Sequence, residues 1–462
     1  MTATPDANAD TAARRSFAEA LAVYLKPRVL IVLLLGFSSG LPLALSGTTL
    51  LVWMREVGVD LGTIGLFALV GTPYTIKFLW APVVDALDVP VLSRLLGRRR
   101  GWLMLSQILL IAAILILAAS NPKFTPLIVV AGAALLVALA SATQDIVIDA
   151  FRVESLDTDE QAAGMAAYVA AYRVGMLVST AGALYIVSGF ELIGSGKDAA
   201  WSLGYAVMAA MVGIGMLATL FAREPARSQE AAVEKASHAG ESPIKRVFGA
   251  AYAAFAEFLS RDAAIAVLIF VILYKLCDAF AGTMTAPFVI DLGFTRTDYA
   301  NIVKGLGLAA TLLGGFAGGM VARALPLATA LWIGAILQMA SNFAFVWQAY
   351  VGLNYWALMV SITVESFTGA IGTVIFVAYL SSLCQSPLHT ATQYALLTAL
   401  AAFGRTYLSA SAGYLAQSVG WPLFFTISVG VGLPSIVLLW WLQARGHFAA
   451  LEKPKGPVAA SD

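Results

Sequence analysis

The stretch LIVVAGAALLVALASATQDIVIDAFR, residues 127–152, decides how the rest of the chain is interpreted. Its apolar first part is long enough to lie mostly within a lipid bilayer. Three charged side chains follow, Asp145, Asp149 and Arg152. Spacings of four and three residues place all three on one face of a helix. Because charge on an apolar helix is costly unless it faces protein, water or a solute path, this stretch indicates a membrane helix with a functional face.

The composition excludes a soluble protein. Of the 462 residues, 60% are hydrophobic and 12% are charged, and a soluble chain of this length could not bury so much apolar surface. We therefore predict an all-α polytopic membrane protein embedded in the lipid bilayer. The formal net charge of +1 gives no reason to expect a nucleic-acid partner. The two cysteines match neither a disulfide framework nor a metal site.

The apolar segments predict twelve membrane-spanning helices. Their expected bounds are 29–53, 61–84, 101–120, 124–151, 161–189, 200–222, 262–290, 298–322, 325–347, 354–384, 389–418 and 421–443. Five regions follow from these bounds: a cytoplasmic N-terminal segment (1–28) with a short amphipathic helix from Ser16 to Lys26, a six-helix half (29–222), a cytoplasmic linker (223–261), a second six-helix half (262–443) and a cytoplasmic tail (444–462).

The two halves are related in sequence. A shift of 232 residues aligns Phe151–Arg173 with Leu383–Arg405, and seven of the 23 aligned pairs are identical. Two parallel six-helix repeats around a central cavity are the architecture of a major facilitator superfamily transporter.

The distribution of lysine and arginine predicts the orientation. With the N-terminus inside, eighteen of the 28 basic residues lie on the cytoplasmic side and six lie within spans. The four that remain outside are Arg55, Lys123, Lys197 and Arg296. Since cytoplasmic loops carry the excess of basic residues, we expect both termini to be cytoplasmic.

Cations deep within the spans are candidates for substrate binding. Counting about 1.5 Å per helical residue places Arg173 and Lys275 near the bilayer midplane and Arg405 somewhat past it. Arginine suits bidentate binding of carboxylate or phosphate groups. The tyrosines near these cations would stack on sugar rings or simply pack between helices. The full candidate set is Arg173, Lys275, Arg405, Lys304, Tyr172, Tyr168, Tyr274 and Gln144.

Carboxylates within the spans are candidates for proton coupling. The sequence shows no catalytic constellation and no nucleotide-binding glycine motif before a helix, so we expect neither an enzyme nor a cofactor. Uphill transport would then use an ion gradient, for which the proton is the simplest choice. The candidates are Asp145, Asp278, Glu365 and Asp149.

Two further pairs of charges are candidates for gating. Asp149 and Arg152 would form either a static ion pair at the helix end or a cytoplasmic latch that opens during transport. Lys77 and Asp85 lie towards the cytoplasmic end of the second span, where they would take part in gating or serve as structural charges beside the interface.

Five stretches resemble the AmpG-type muropeptide permeases of the major facilitator superfamily. They are GFSSGLP (36–42), TIGLFALVGTPYTIKFLWAP (63–82), GRRRGW (97–102), SATQDIVIDAFR (141–152) and YRVGM (172–176). They cover mainly the first half. The second half resembles the family more loosely, around Lys304–Gly307 and Arg405.

The resemblance implies proton-driven import of anhydromuropeptides, in which GlcNAc is linked to 1,6-anhydroMurNAc bearing a stem peptide. Import would run from periplasm to cytoplasm, through a monomer in a Gram-negative inner membrane. It would feed peptidoglycan recycling and, in some bacteria, β-lactamase induction. Alternatives stay open: a carrier of another anionic solute, similar to acetyl-CoA transporters, or a non-transporting pigment-assembly or scaffold protein.

Overall fold

A computed structural model describes residues 23–157, 160–225, 256, 259–383 and 390–452. Every secondary-structure element in this part of the chain is helical. Most of the predicted amphipathic helix from Ser16 to Lys26, most of the linker and the last ten residues lie outside it.

Ten helical stretches are long and apolar enough to cross a membrane. They are Pro27–Glu56, Arg98–Ala119, Leu127–Ser155, Ala167–Leu192, Lys197–Phe221, Ala264–Asp291, Arg296–Ala322, Leu327–Val351, Tyr355–Leu383 and Trp421–Ala444. Each corresponds to one of the twelve predicted spans. The predicted class, an all-α multi-pass membrane protein, is confirmed.

The other two predicted spans, 61–84 and 389–418, are interrupted helices. The first consists of Leu61–Leu66, Thr72–Ile76 and Ala81–Ala86, separated by 3-10 turns. Proline stands in the first turn of the second and third of these segments, where its missing N–H leaves no helical hydrogen bond unmade. The second comprises Thr390–Phe403 and Ala412–Val419, joined by a π-helical and a 3-10 segment.

Several of the long stretches also contain breaks. Their components are Pro27–Leu45 and Thr48–Glu56; Gln161–Leu177 and Ala183–Leu192; Lys197–Met211 and Gly213–Phe221; Ala264–Tyr274 and Leu276–Asp291; Arg296–Asp298 and Gly307–Ala324; Trp421–Val431 and Leu433–Ala444. The π-helical segments are Val178–Gly182, Tyr299–Leu306 and Gly404–Leu408. Such π-helical turns are rare and occur frequently at functional sites.

Successive helices run in opposite directions, so the bundle has two distinct ends. The turns after residues 56, 119, 192, 291, 351 and 419 share one end, here called the Arg296 end. At the opposite end, the Glu154 end, Arg99 Nη2 lies 2.5 Å from Glu154 Oε1 and Arg28 Nη1 lies 2.8 Å from Asp157 Oδ2.

The two halves pack together in the part of the bundle nearer the Arg296 end. One buried apolar cluster there contains residues of both halves, including Trp53, Trp201, Phe288 and Phe425. Towards the Glu154 end, each half has buried apolar clusters of its own. Gly413 of the second half lies so close to the Leu61 carbonyl that a Cβ would overlap it.

Candidate transport site

A buried carboxylate anchors the charged group of the first half. Asp145, on helix Leu127–Ser155, is 9% exposed. The Ser39 hydroxyl donates a hydrogen bond to Asp145 Oδ1 at 2.5 Å. Ser39 Oγ also lies 3.0 Å from the Tyr168 hydroxyl. Three helices of the first half therefore converge on one ionisable group.

Small residues allow these helices to approach so closely. Helix Pro27–Leu45 crosses helix Gln161–Leu177 at Gly36 and Gly40. A Cβ on Gly36 would lie 2.6 Å from the Tyr168 carbonyl oxygen, and one on Gly40 would overlap the Tyr172 carbonyl. This glycine crossing brings Ser39 close to Tyr168.

Other predicted charges lie near Asp145. Lys77 and Asp149 are both close enough to interact with it electrostatically. Asp149 Oδ1 is 3.7 Å from Arg152 Nη2, one turn along the same helix. The Arg152 guanidinium also lies 5.8 Å from the centre of the Tyr168 ring. The Asp85 side chain lies outside the described part of the structure.

The second half has its own charged group, centred on Lys275. This residue interrupts the helix between Tyr274 and Leu276. Its ammonium lies 2.6 Å from Asp278 Oδ2 and donates to Gln338 Oε1 at 2.7 Å. A longer contact of 3.4 Å reaches the Gly369 carbonyl. Lys275 is therefore held by its own span and by two neighbouring helices.

Glu365 and Lys304 extend this second group. Glu365 interacts electrostatically with Asp278, Lys275 and Lys304. Its Oε2 accepts a hydrogen bond from Ser366 at 3.1 Å. Lys304 belongs to the π-helical segment Tyr299–Leu306, and its ammonium lies 5.6 Å from the Tyr299 ring centre.

Two arginines from opposite halves lie near Tyr172. Arg173 and Arg405 both have exposed side chains, and both are close enough to Tyr172 to interact with it electrostatically. Arg405 belongs to the π-helical segment Gly404–Leu408, which approaches the 3-10 turn Phe67–Gly71 of the first half. The structure thus places one predicted cation from each half near Tyr172.

Two predicted residues lie away from this junction. Gln144 has no exposed surface, and both polar atoms of its amide lack a hydrogen-bond partner within the described part of the chain. Tyr274 is 2% exposed, donates to the Leu331 carbonyl and stacks on Phe376. Both side chains are enclosed within one half of the bundle.

A second ionic network, which the sequence does not predict as a site, joins the halves at the Arg296 end. The Arg296 guanidinium makes two hydrogen bonds to Glu56, at 2.9 and 2.7 Å, and one to Glu191 at 3.1 Å. It also lies 5.3 Å from the Trp201 ring centre. The only sequence signal for this network is the presence of charges at the ends of spans, which indicate orientation alone.

A second contact of this network pairs Arg55 of the first half with Asp291 of the second. The indole N–H of Trp421 donates to the same carboxylate at 3.1 Å. The Arg296 end is therefore closed by ion pairs across the halves.

Two packed helical halves, each with a charged group among its apolar helices, are the arrangement of a major facilitator transporter. A model of the Major Facilitator Superfamily matches residues 32–406, so the chain belongs to that superfamily. Solved structures agree on the fold: the nucleoside transporter NupG covers 92% of this chain and is itself covered in full (TM-score 0.67, 16% identity). A POT family transporter in complex with 5-aminolevulinic acid covers 92%, with 96% of its own chain matched (TM-score 0.66, 12% identity).

Within that superfamily the chain belongs to the AmpG family of permeases, which are transporters rather than enzymes. It is 39% identical to the anhydromuropeptide permease of Escherichia coli strain K12 over 421 residues, covering 91% of this chain and 80% of the relative. It is 33% identical to the putative transporter AmpG 4 of Rickettsia felis, covering 90% of this chain and 97% of the relative.

Proposed function

We propose that this permease imports anhydromuropeptides from periplasm to cytoplasm by proton-coupled alternating access, for peptidoglycan recycling. One observation carries the proposal: the 39% identity to the E. coli anhydromuropeptide permease, which extends along 91% of this chain. In some bacteria, the imported products would also feed β-lactamase induction.

The paired arginines support an anionic cargo. Arg173 and Arg405 are exposed, come from opposite halves and lie near Tyr172. Carboxylates of a stem peptide would bind both guanidiniums, because arginine matches carboxylate geometry. A cargo held by both halves would favour the states in which the halves enclose it.

The buried carboxylates support coupling to protons. Asp145 is held by Ser39 at 2.5 Å in a largely buried position, where an ionised group is costly. A proton taken up from the periplasm would neutralise it, permit occlusion and leave with the cargo on the cytoplasmic side. Asp278 and Glu365 are rival carriers of that proton in the second half, beside Lys275.

We assign the Arg296 end to the periplasm and the Glu154 end to the cytoplasm, following the predicted distribution of basic residues. The ion pairs at the Arg296 end then correspond to a conformation closed to the periplasm. The contact between Asp149 and Arg152 lies within one helix. This favours the static ion pair over a latch between the halves.

The test is uptake of labelled anhydromuropeptide into proteoliposomes. We expect Arg173→Gln and Arg405→Gln each to raise KM about tenfold, since each removes a charge-assisted hydrogen bond. Arg445→Gln is the control, because Arg445 is exposed, lies at the Glu154 end and stacks on Trp441. Uptake of acetyl-CoA in place of muropeptide would favour the alternative carrier, and uptake of neither would favour a scaffold.

A further inference from the structure

A cavity of about 1020 Å³ lies at the Arg296 end, on the outer side of the contact between the halves. Its walls come from both halves, with Glu191 and Trp201 on one side and Asp291 and Phe294 on the other. None of the residues proposed above for cargo binding or proton coupling lines it. It is therefore a separate space from the junction at Tyr172.

The four basic residues that the orientation analysis places on the outer side all line this one cavity. They are Arg55, Lys123, Lys197 and Arg296. Membrane proteins keep few lysines and arginines on the outer side, and topology alone gives no reason to gather those few in one place. Four acidic residues share the lining: Glu56, Glu191, Asp198 and Asp291. The cavity therefore offers equal numbers of positive and negative groups.

Most of these charges pair with one another. Arg55 pairs with Asp291, and Lys123 Nζ lies 3.4 Å from Asp198 Oδ2. Lys197 differs: it is exposed at the start of helix Lys197–Met211, and the described part of the chain provides no hydrogen bond or ion pair to its ammonium. An unpaired ammonium on the wall of a charged cavity is available to an anionic group.

Arg296 provides a second unused donor. The residue is only 8% exposed, yet its Nη1 has no hydrogen-bond partner among the described residues. Its Nε and Nη2 are committed to Glu56, and Nη2 also to Glu191. A buried guanidinium nitrogen without an acceptor is costly, and a ligand carboxylate would supply that acceptor.

We propose that this cavity is an outer binding site for amphoteric peptides, the chemistry of the peptide portion of the cargo. Lys197 and Arg296 bind carboxylates of the ligand, while Asp198 and Asp291 bind its ammonium. A purely anionic solute would meet four carboxylates in the same space, so the balanced lining favours a ligand carrying both charges. The choice of ligand rests on the proposed function.

Ligand binding at this site also affects the contact between the halves. Arg296 joins its own half to Glu56 and Glu191 of the other half. A ligand carboxylate at Nη1 would leave these contacts in place, since Nη1 is the donor that Glu56 and Glu191 do not use. Because both halves line the cavity, a bound peptide favours the state in which the halves meet as they do here.

Calorimetric binding of the tripeptide Ala-Glu-Lys to the full chain, in nanodiscs of phosphatidylcholine, tests the proposal. We expect Lys197→Gln to weaken binding about tenfold, because it removes one charge-assisted contact. Lys197→Arg keeps the charge and should retain binding. Arg445→Gln removes a cation at the opposite end and should bind as the wild type does. Since Lys197 is exposed at a helix start, these variants should keep the wild-type thermal midpoint.

Three results would overturn the site: no tripeptide binding by the wild type, equal binding by Lys197→Gln, or equally tight binding of the all-anionic peptide acetyl-Glu-Glu. Uptake kinetics separate this inference from the proposed function. Tripeptide binding that depends on Lys197, without muropeptide uptake, would leave the site standing and remove the proposed cargo. Muropeptide uptake with an unchanged KM in Lys197→Gln, and no tripeptide binding, would leave the proposed cargo standing and remove the outer site.

Discussion

The Ser39 hydroxyl lies 2.5 Å from the Asp145 carboxylate and links helix Pro27–Leu45 to helix Leu127–Ser155. Because Ser39 also contacts Tyr168, movement of any of three helices changes the surroundings of this carboxylate. This contact therefore couples the state of an ionisable group to the packing of three helices within the first half.

Replacing Ser39 by alanine tests that coupling. Ser39→Ala removes the hydrogen bond to a largely buried carboxylate, and we expect kcat/KM for uptake to fall about tenfold. Ser38→Ala is a matched control, because Ser38 is fully buried on the same helix and its hydroxyl has no hydrogen-bond partner in the described structure. Equal losses in the two variants would contradict a specific role for Ser39.

The pair formed by Lys275 and Asp278 gives a prediction about stability. Asp278→Asn leaves the Lys275 ammonium without the carboxylate it pairs with. We expect the free energy of unfolding to fall by about 2 kcal/mol, which is less than the loss for a fully buried pair. Replacing both residues, as Lys275→Met with Asp278→Leu, should recover most of the stability while uptake stays impaired. Thermal unfolding in detergent measures the first effect and proteoliposome uptake the second. A double variant less stable than Asp278→Asn would contradict this account.

The contact between Arg296 and Glu56 gives a prediction about conformation. Glu56→Gln weakens the ion pair that crosses the halves, so the open state at the Arg296 end should gain population by about tenfold. The distance between spin labels at Lys123→Cys and Leu353→Cys measures this opening, in a background where Cys277 and Cys384 are replaced by alanine. We expect that distance to be longer in Glu56→Gln than in the protein that retains Glu56.

Asp60→Asn is the control for the Glu56 experiment. Asp60 lies at the same end, but its carboxylate accepts hydrogen bonds from Thr63 of its own helix. The same distance distribution in Glu56→Gln and Asp60→Asn would rule out the ion pair as a closing contact.

The pair between Lys26 and Glu160, at the Glu154 end, predicts a dependence of stability on pH. The hydrogen bond that Lys26 donates, at 2.8 Å, holds the pKa of Glu160 below its usual range. A lowered pKa in the folded state stabilises the protein above the ordinary glutamate value, about 4.3. The effect is lost as pH falls through the folded-state pKa.

Glu160→Gln should therefore lower the thermal midpoint by about 1–2 °C at pH 7 and have no effect at pH values well below 4. Asp157→Asn removes an exposed partner of Arg28 and should change little at either pH. If the thermal midpoint of Glu160→Gln stayed below that of the wild type at low pH, the lowered pKa of Glu160 would not be its cause.

Hydropathy was sufficient to predict the helical class and most of the spans, since the bilayer sets the length and polarity of each helix. It did not predict where helices break. Lys275 separates two helices inside one apolar run, and Lys304 and Arg405 occur in π-helical segments. These local geometries depend on packing between helices. The periodicity of a single helix carries no information about that packing.

The candidate site was predictable where charge stood out against an apolar background. Charge alone identifies Asp145 and Lys275 as candidates, but it does not identify Ser39 and Gln338, which hold them. Serine and glutamine carry no charge, so their contacts emerge only from the folded arrangement. Arg296 was assigned to topology, because its partners lie more than 100 residues away in the chain.

The central claim is that Asp145 couples proton movement to muropeptide import. Uptake of labelled anhydromuropeptide into proteoliposomes, with an acidic outside imposed, measures this directly. The account predicts accumulation above the external concentration by the wild type, and only equilibration by Asp145→Asn. Equal accumulation by both, or wild-type uptake that ignores the pH gradient, would contradict it.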